Sequence, residues 1–135
     1  MSWETMFNTI RSRFKAQIED VLSLETGYDN ANFDPPDNAN WCRLTIIPGN
    51  TDQVSIGAPS SNRERTAGVM IAQLFAPLNA GDGTIVGVAD SIRAAFKRVT
   101  ASGVTFETPK IVRVGRQHGF WQINVACPFY TDDIG

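Results

Sequence analysis

The sequence predicts an α+β fold, a mainly antiparallel sheet with two principal helices packed on one face, and three patterns point to it. Apolar residues recur at helical spacing along Phe7, Ile10, Phe14, Ile18 and Val21. They do so again along Ile85, Val88, Ala89, Ile92, Phe96 and Val99. Near the C-terminus the period drops to two, as in a half-buried antiparallel strand. There Trp121, Ile123, Val125, Cys127 and Phe129 point one way and Gln122, Asn124 and Ala126 the other. Helix, strands, helix, strands, without an internal repeat, is most economically met by helices on one sheet.

The first helix is expected over Trp3 to Leu22, with Ser2 or Thr5 as N-cap and Glu4 favourable in the first turn. Residues 23–40 break the period. Thr26-Gly27-Tyr28 and Asp34-Pro35-Pro36-Asp37-Asn38 are turn formers, so this stretch is expected to be a long acidic loop or arm. From Trp41, alternation of Cys42, Leu44 and Ile46 predicts a strand, and Pro48-Gly49-Asn50 a turn after it. Val54 and Ile56 suggest a short second strand, and residues 57–66 an exposed loop. Ala67 to Ala76 fits either a helix stripe or a strand buried on both faces, because short apolar runs are not settled by period alone. Pro77 closes it either way. The second helix follows Asn79-Ala-Gly-Asp-Gly, capped by Asp82 or Thr84, with Arg93, Lys97 and Arg98 at its cation-favouring end. Val104 and Phe106 alternate, and His118-Gly119 is a hairpin turn between strands over Lys110–Arg116 and Phe120–Tyr130. Asp132 and Asp133 are expected in a solvated tail.

At 135 residues the chain is one domain's worth, able to bury about two-thirds of its surface without disulfide or metal. Twelve bases against fourteen acids leave a net charge of −2, which argues against a nucleic-acid binder. No apolar run reaches the roughly 18 residues of a membrane span, and Met-Ser-Trp-Glu-Thr is not a signal peptide, so a chain made in the cytosol is expected. The distribution of charge is more informative than its sum. Residues 17–62 carry seven carboxylates and one base, Arg43, whereas residues 63–118 carry eight bases and four carboxylates. A chain with an acidic and a basic portion is suited to docking head to tail on copies of itself, provided the fold keeps the two portions apart.

No motif asks for catalysis. His118, the lone histidine, sits at the expected hairpin tip, and catalytic groups need a more fixed geometry. Cys42 and Cys127 lie in apolar stretches, show no metal-ligand spacing and are expected to pack in the core. The loop Asp29-Asn30-Ala31-Asn32-Phe33-Asp34 fails calcium alternation at Ala31 and Phe33. Gly81-Asp-Gly-Thr-Ile-Val-Gly87 resembles a phosphate-binding turn, but its spacing and context favour a helix cap. No enzyme activity, cofactor or metal is therefore expected. A small ligand-binding domain using the Gly81–Gly87 turn as an anion site stays as an alternative.

Several ordered features together carry a resemblance. An amphipathic N-terminal helix and an acidic, proline-containing loop precede Trp41-Cys-Arg-Leu and a loop ending Arg63-Glu-Arg65-Thr-Ala-Gly68. Val69-Met-Ile-Ala-Gln-Leu-Phe75-Ala-Pro77, Gly81-Asp-Gly83 with its helix, and Trp121-Gln-Ile-Asn-Val-Ala-Cys-Pro128-Phe129 complete the order. Over essentially all of residues 1–135 this resembles the tail-terminator proteins of long-tailed bacteriophages. The resemblance implies that residues 66–76 form a long central strand. It also implies a virion protein assembled in the bacterial cytoplasm into a ring, usually of six copies, at the head-proximal end of the tail. Its partners would be itself, the tail tube protein and the head-tail connector, with DNA only in transit through the lumen and no membrane. A head-completion or head-to-tail joining protein of the neck is the nearest alternative. Exposure and charge single out three surfaces for contact with neighbours. These are the loop 50–66 with Arg63, Glu64 and Arg65 at its end, the arm with Asp29, Asp34 and Asp37, and the hairpin tip from Arg116 to Gly119 with His118.

Overall fold

The structure, a computed structural model, describes residues 2–29, 31–36, 38–53, 63–79, 81, 83–117 and 119–134. It is mostly antiparallel sheet with two principal helical segments, an α+β fold.

Helix α1 spans Trp3–Phe14. Ser2 caps it, its hydroxyl accepting from the Thr5 N–H at 3.1 Å. The helix does not continue unbroken to Leu22. Lys15–Glu19 winds as a π-helix, with the Asp20 N–H donating to the Lys15 carbonyl, before a short α2 at Asp20–Leu22. The wider turn holds one residue more than an α turn, so it rotates the side chains beyond it about the helix axis. Met6, Ile10, Phe14 and Ile18 are buried as one stripe, but Val21 is 69% exposed and Leu24 enters the core in its place.

Residues 23–40 are not loop throughout. Strand β1, Glu25–Tyr28, pairs parallel with the start of β2, Trp41–Gln53, in the register Glu25↔Trp41 to Tyr28↔Leu44. Pro48-Gly49-Asn50 does not turn the chain either. It sits in a β-bulge within β2, where the register against β3, Arg63–Pro77, shifts between Pro48 and Thr51. The backbones approach closely there. A Cβ on Gly49 would lie 2.6 Å from the Ala67 carbonyl oxygen, and one on Gly68 2.7 Å from that of Ile47. The ambiguous run 67–76 is strand, at the centre of the sheet. Val54 and Ile56 lie outside the described residues.

Helix α3 spans Gly83–Phe96, followed by β4 (Thr100–Ala101), β5 (Val104–Phe106), β6 (Lys110–Gln117) and β7 (Phe120–Ile134). β7 pairs with β3 along its whole length, and its other side meets β6 at one end and β5 at the other. β6 bulges between Arg113 and Gly115, where Gly115 takes the left-handed φ of 97° that only glycine adopts freely. The expected tail is part of β7, which runs through Asp132 and Asp133.

Alternation sorts the central strands. Cys42, Leu44 and Ile46 of β2, Met70, Ala72 and Leu74 of β3, and Ile123, Val125 and Cys127 of β7 fall in shared cross-strand rows. They share a core with the N-terminal stripe and with Ile85, Ala89, Ile92 and Phe96 of α3. A second, aromatic cluster occupies the alternate row. Trp41 stacks on Phe75 at 4.1 Å between ring centres, with Phe120 edge-on at 5.3 Å and Phe33 at 5.5 Å from Trp41.

Candidate assembly surfaces

The first predicted surface is not loop throughout, because β2 runs on to Gln53 and β3 begins at Arg63. Thr51–Gln53 pair with Glu64–Thr66 at the end of the sheet formed by β2, β3 and β7. Residues 54–62 lie outside the described residues, and the Arg63 backbone pairs opposite Ile134 of β7. Glu64 is exposed and stands between Gln53 and Asp133 in the sheet. Arg65 is engaged within the chain. Its Nε and Nη2 donate to the two Asp132 carboxylate oxygens at 2.8 and 3.0 Å, a bidentate pair, and its guanidinium lies 4.1 Å from the centre of the Tyr130 ring. Asp132 is thus held in the sheet rather than in a tail, and Arg65 presents a half-exposed, partly neutralised charge.

The acidic arm leaves from the β1 edge. Asp29 is exposed and accepts from the Thr45 hydroxyl at 3.1 Å, and Asp34 is exposed further along. Asp37 lies outside the described residues. Phe33 anchors the arm by packing on Trp41 and against Gly27, where a Cβ would approach its ring to 3.0 Å. On the same side of the molecule Tyr28 donates to Glu19 at 3.2 Å, and burial together with the Glu19 charge pushes its phenol well up.

Opposite, on β6, Lys110, Arg113 and Arg116 are exposed. His118 lies outside the described residues. Arg113 and Arg116 line a cleft of 290 Å³ with Trp121, Pro77, Leu78, Asn79 and Gly81. Arg113 sits over the Trp121 ring at 5.5 Å, and the buried Trp121 indole N–H faces no acceptor among the described residues. The sequence singled out Arg116 but not Arg113 or Trp121. Three residues apart along a regular strand Arg113 and Arg116 would face oppositely, and only the bulge brings both to the cleft.

Both thiols are core. Cys42 lies 3.2 Å from the Thr26 hydroxyl and Cys127 3.7 Å from the Glu107 carbonyl. Burial pushes each up to about 12, so the thiols are neutral and poor nucleophiles near neutral pH. Among the described residues no group of three or more His, Cys, Asp or Glu side chains could hold a metal ion. No described helix is long and apolar enough to cross a membrane. Exposed charged surfaces at the two sheet edges and at one sheet end suit contacts with other protein surfaces.

A search of curated proteins returns no match. Among solved structures, one superimposes with a TM-score of 0.66 over 92% of this chain and 94% of its own, at 17% identity, a likeness of fold alone. A family model described as phage tail terminator protein matches residues 9–129, nearly the whole chain. The chain therefore belongs to the phage tail terminator protein family, whose role in the phage tail is structural.

Proposed function

We propose that this chain acts as one domain that assembles into a ring, six copies being the expected number, at the head-proximal end of the tail tube. There it ends tube polymerisation and offers the docking surface for the head connector. The observation that carries this reading is the family match over residues 9–129. The mechanism is steric. One face of the ring copies the docking surface of a tube subunit, and the other lacks the site on which a further tube ring adds. Both helices covering one face of the sheet would leave the other face and the sheet edges to neighbours. Of the contact surfaces, Arg63, Glu64 and Arg65 at the sheet end suit intersubunit or tube contacts. Asp29, Asp34 and Asp37 of the arm, and Arg116 and His118 near the hairpin tip, suit neighbouring copies. DNA passing through the lumen is compatible with a chain of net charge −2, because a basic wall would hold phosphates.

The test is end-capping. Purified chain added to tail tubes made without it should appear by negative-stain microscopy as a ring on one end and should block further addition of tube subunits. Tubes that keep growing with bare ends contradict the reading.

A further inference from the structure

We propose that copies of this chain join head to tail through opposite edges of the sheet. The acidic β1 edge and arm of one copy seat against the basic β6 edge and adjoining cleft of the next. The proposal rests on the ring reading above and names the surfaces that join its copies.

Three observations carry it. Each edge is open, because among the described residues β1 pairs only with β2, and β6 only with β7. The edges also stand level with each other. One cross-strand row, Glu25–Trp41–Phe75–Gln122–Gly115, runs from β1 to β6 across the whole sheet. A copy added at this level is displaced sideways with little step along the strands, which favours closure into a ring over an open filament.

The second observation is charge. Residues 17–36 carry five carboxylates and no Lys or Arg, and residues 108–131 carry three bases and no carboxylate. Glu25, Asp29 and Asp34 are exposed on or beside one edge, and Lys110, Arg113 and Arg116 on the other. Like edges repel and unlike edges attract, so association is directional: β1 meets β6 and never its own copy.

The third lies in the cleft. Among the described residues its lining contains two guanidinium groups, the Asn79 amide and the Trp121 ring, with no carboxylate among them. That set is rich in donors and suits an incoming acidic segment. Val112 and Val114, 40% and 39% exposed on the same strand, add apolar surface for a neighbour to cover.

The test is charge exchange in a phage lacking this gene, supplied with variants and scored by tail length. K110E/R113E/R116E and E25K/D29K/D34K chains, each shown by circular dichroism to fold, should lose normal-length tails when supplied alone. Supplying both together, or one chain carrying all six substitutions, should restore them, because unlike edges again face each other. Normal tails with either single-edge variant overturn the proposal, as does failure of both restorations. Native chain is the control. If it restores normal tails and the single-edge variants do too, only the edge assignment falls. If tails are normal without any chain, the terminator reading falls as well.

Discussion

Phe96→Ala lowers the unfolding free energy by about 3–5 kcal/mol, the cost of removing a buried aromatic and leaving a cavity. Phe96 is fully buried and holds three parts of the core together. Its ring meets Phe14 of α1 at 6.2 Å and Phe106 of β5 edge-on at 4.9 Å, and Arg13 lies 5.5 Å above it. The Arg13 guanidinium also donates to the Ala95 carbonyl at 2.6 Å, so the end of α3 is fixed to α1 by both ring and cation. Domains of this size are stable by about 5–15 kcal/mol, so the loss is a large part of the whole. Thermal unfolding should fall by roughly 10–20 °C, and Phe96→Leu, which keeps most of the volume, should recover most of it. A shift of only a few degrees for Phe96→Ala would mean that α1 and α3 do not share this core.

Gly68→Val has the next largest expected effect, about 3 kcal/mol, at the upper end for overpacking. Gly68 stands opposite Pro48 on one side and Phe129 on the other, in the central strand. A Cβ there would lie 2.7 Å from the Ile47 carbonyl oxygen, 2.8 Å from the tip of the Phe129 ring and 3.0 Å from the Pro48 Cα. Two of those three atoms are backbone, and the buried Phe129 has little room to turn. The substitution must open the β2 bulge or expel the ring, and either disturbs the sheet end that carries Arg65. Denaturant unfolding should show a lower midpoint for Gly68→Val and a smaller loss for Gly68→Ala. Unchanged midpoints for both would show that the strands do not meet this closely.

Much of the fold was legible in the sequence, for reasons that differ by element. The helices and β7 were plain because their periods run over many residues and each buries a single stripe or face. The strand over 67–76 was not, since residues on both its faces are apolar. Val69 and Ile71 lie on the face away from the Met70 row and are half-buried, so alternation is weak. β1 escaped notice because Glu-Thr-Gly-Tyr has turn-like composition and forms a strand only by parallel pairing with Trp41–Leu44. Pro48-Gly49-Asn50 has the chemistry of a turn and of a bulge alike, and the long pairing of β2 with β3 decides between them. The π turn leaves no local signal.

The assembly surfaces were legible as charge and hidden as geometry. Composition separated an acidic from a basic portion, but it did not place them on opposite edges of one sheet. Arg65 was visible as a candidate, whereas its pairing with Asp132 depends on β7 continuing past Tyr130. Phe33 had a readable signal, an aromatic within a polar loop, since burying such a ring repays anchoring the loop.

Tail-tube length in particles made without this gene tests the terminator reading most directly. Abnormally long, headless tubes are the expected result. Normal-length tails beside unattached heads would contradict a role in stopping the tube and move the chain to joining head and tail. Intact, normal virions would contradict any structural part for it at the end of the tail.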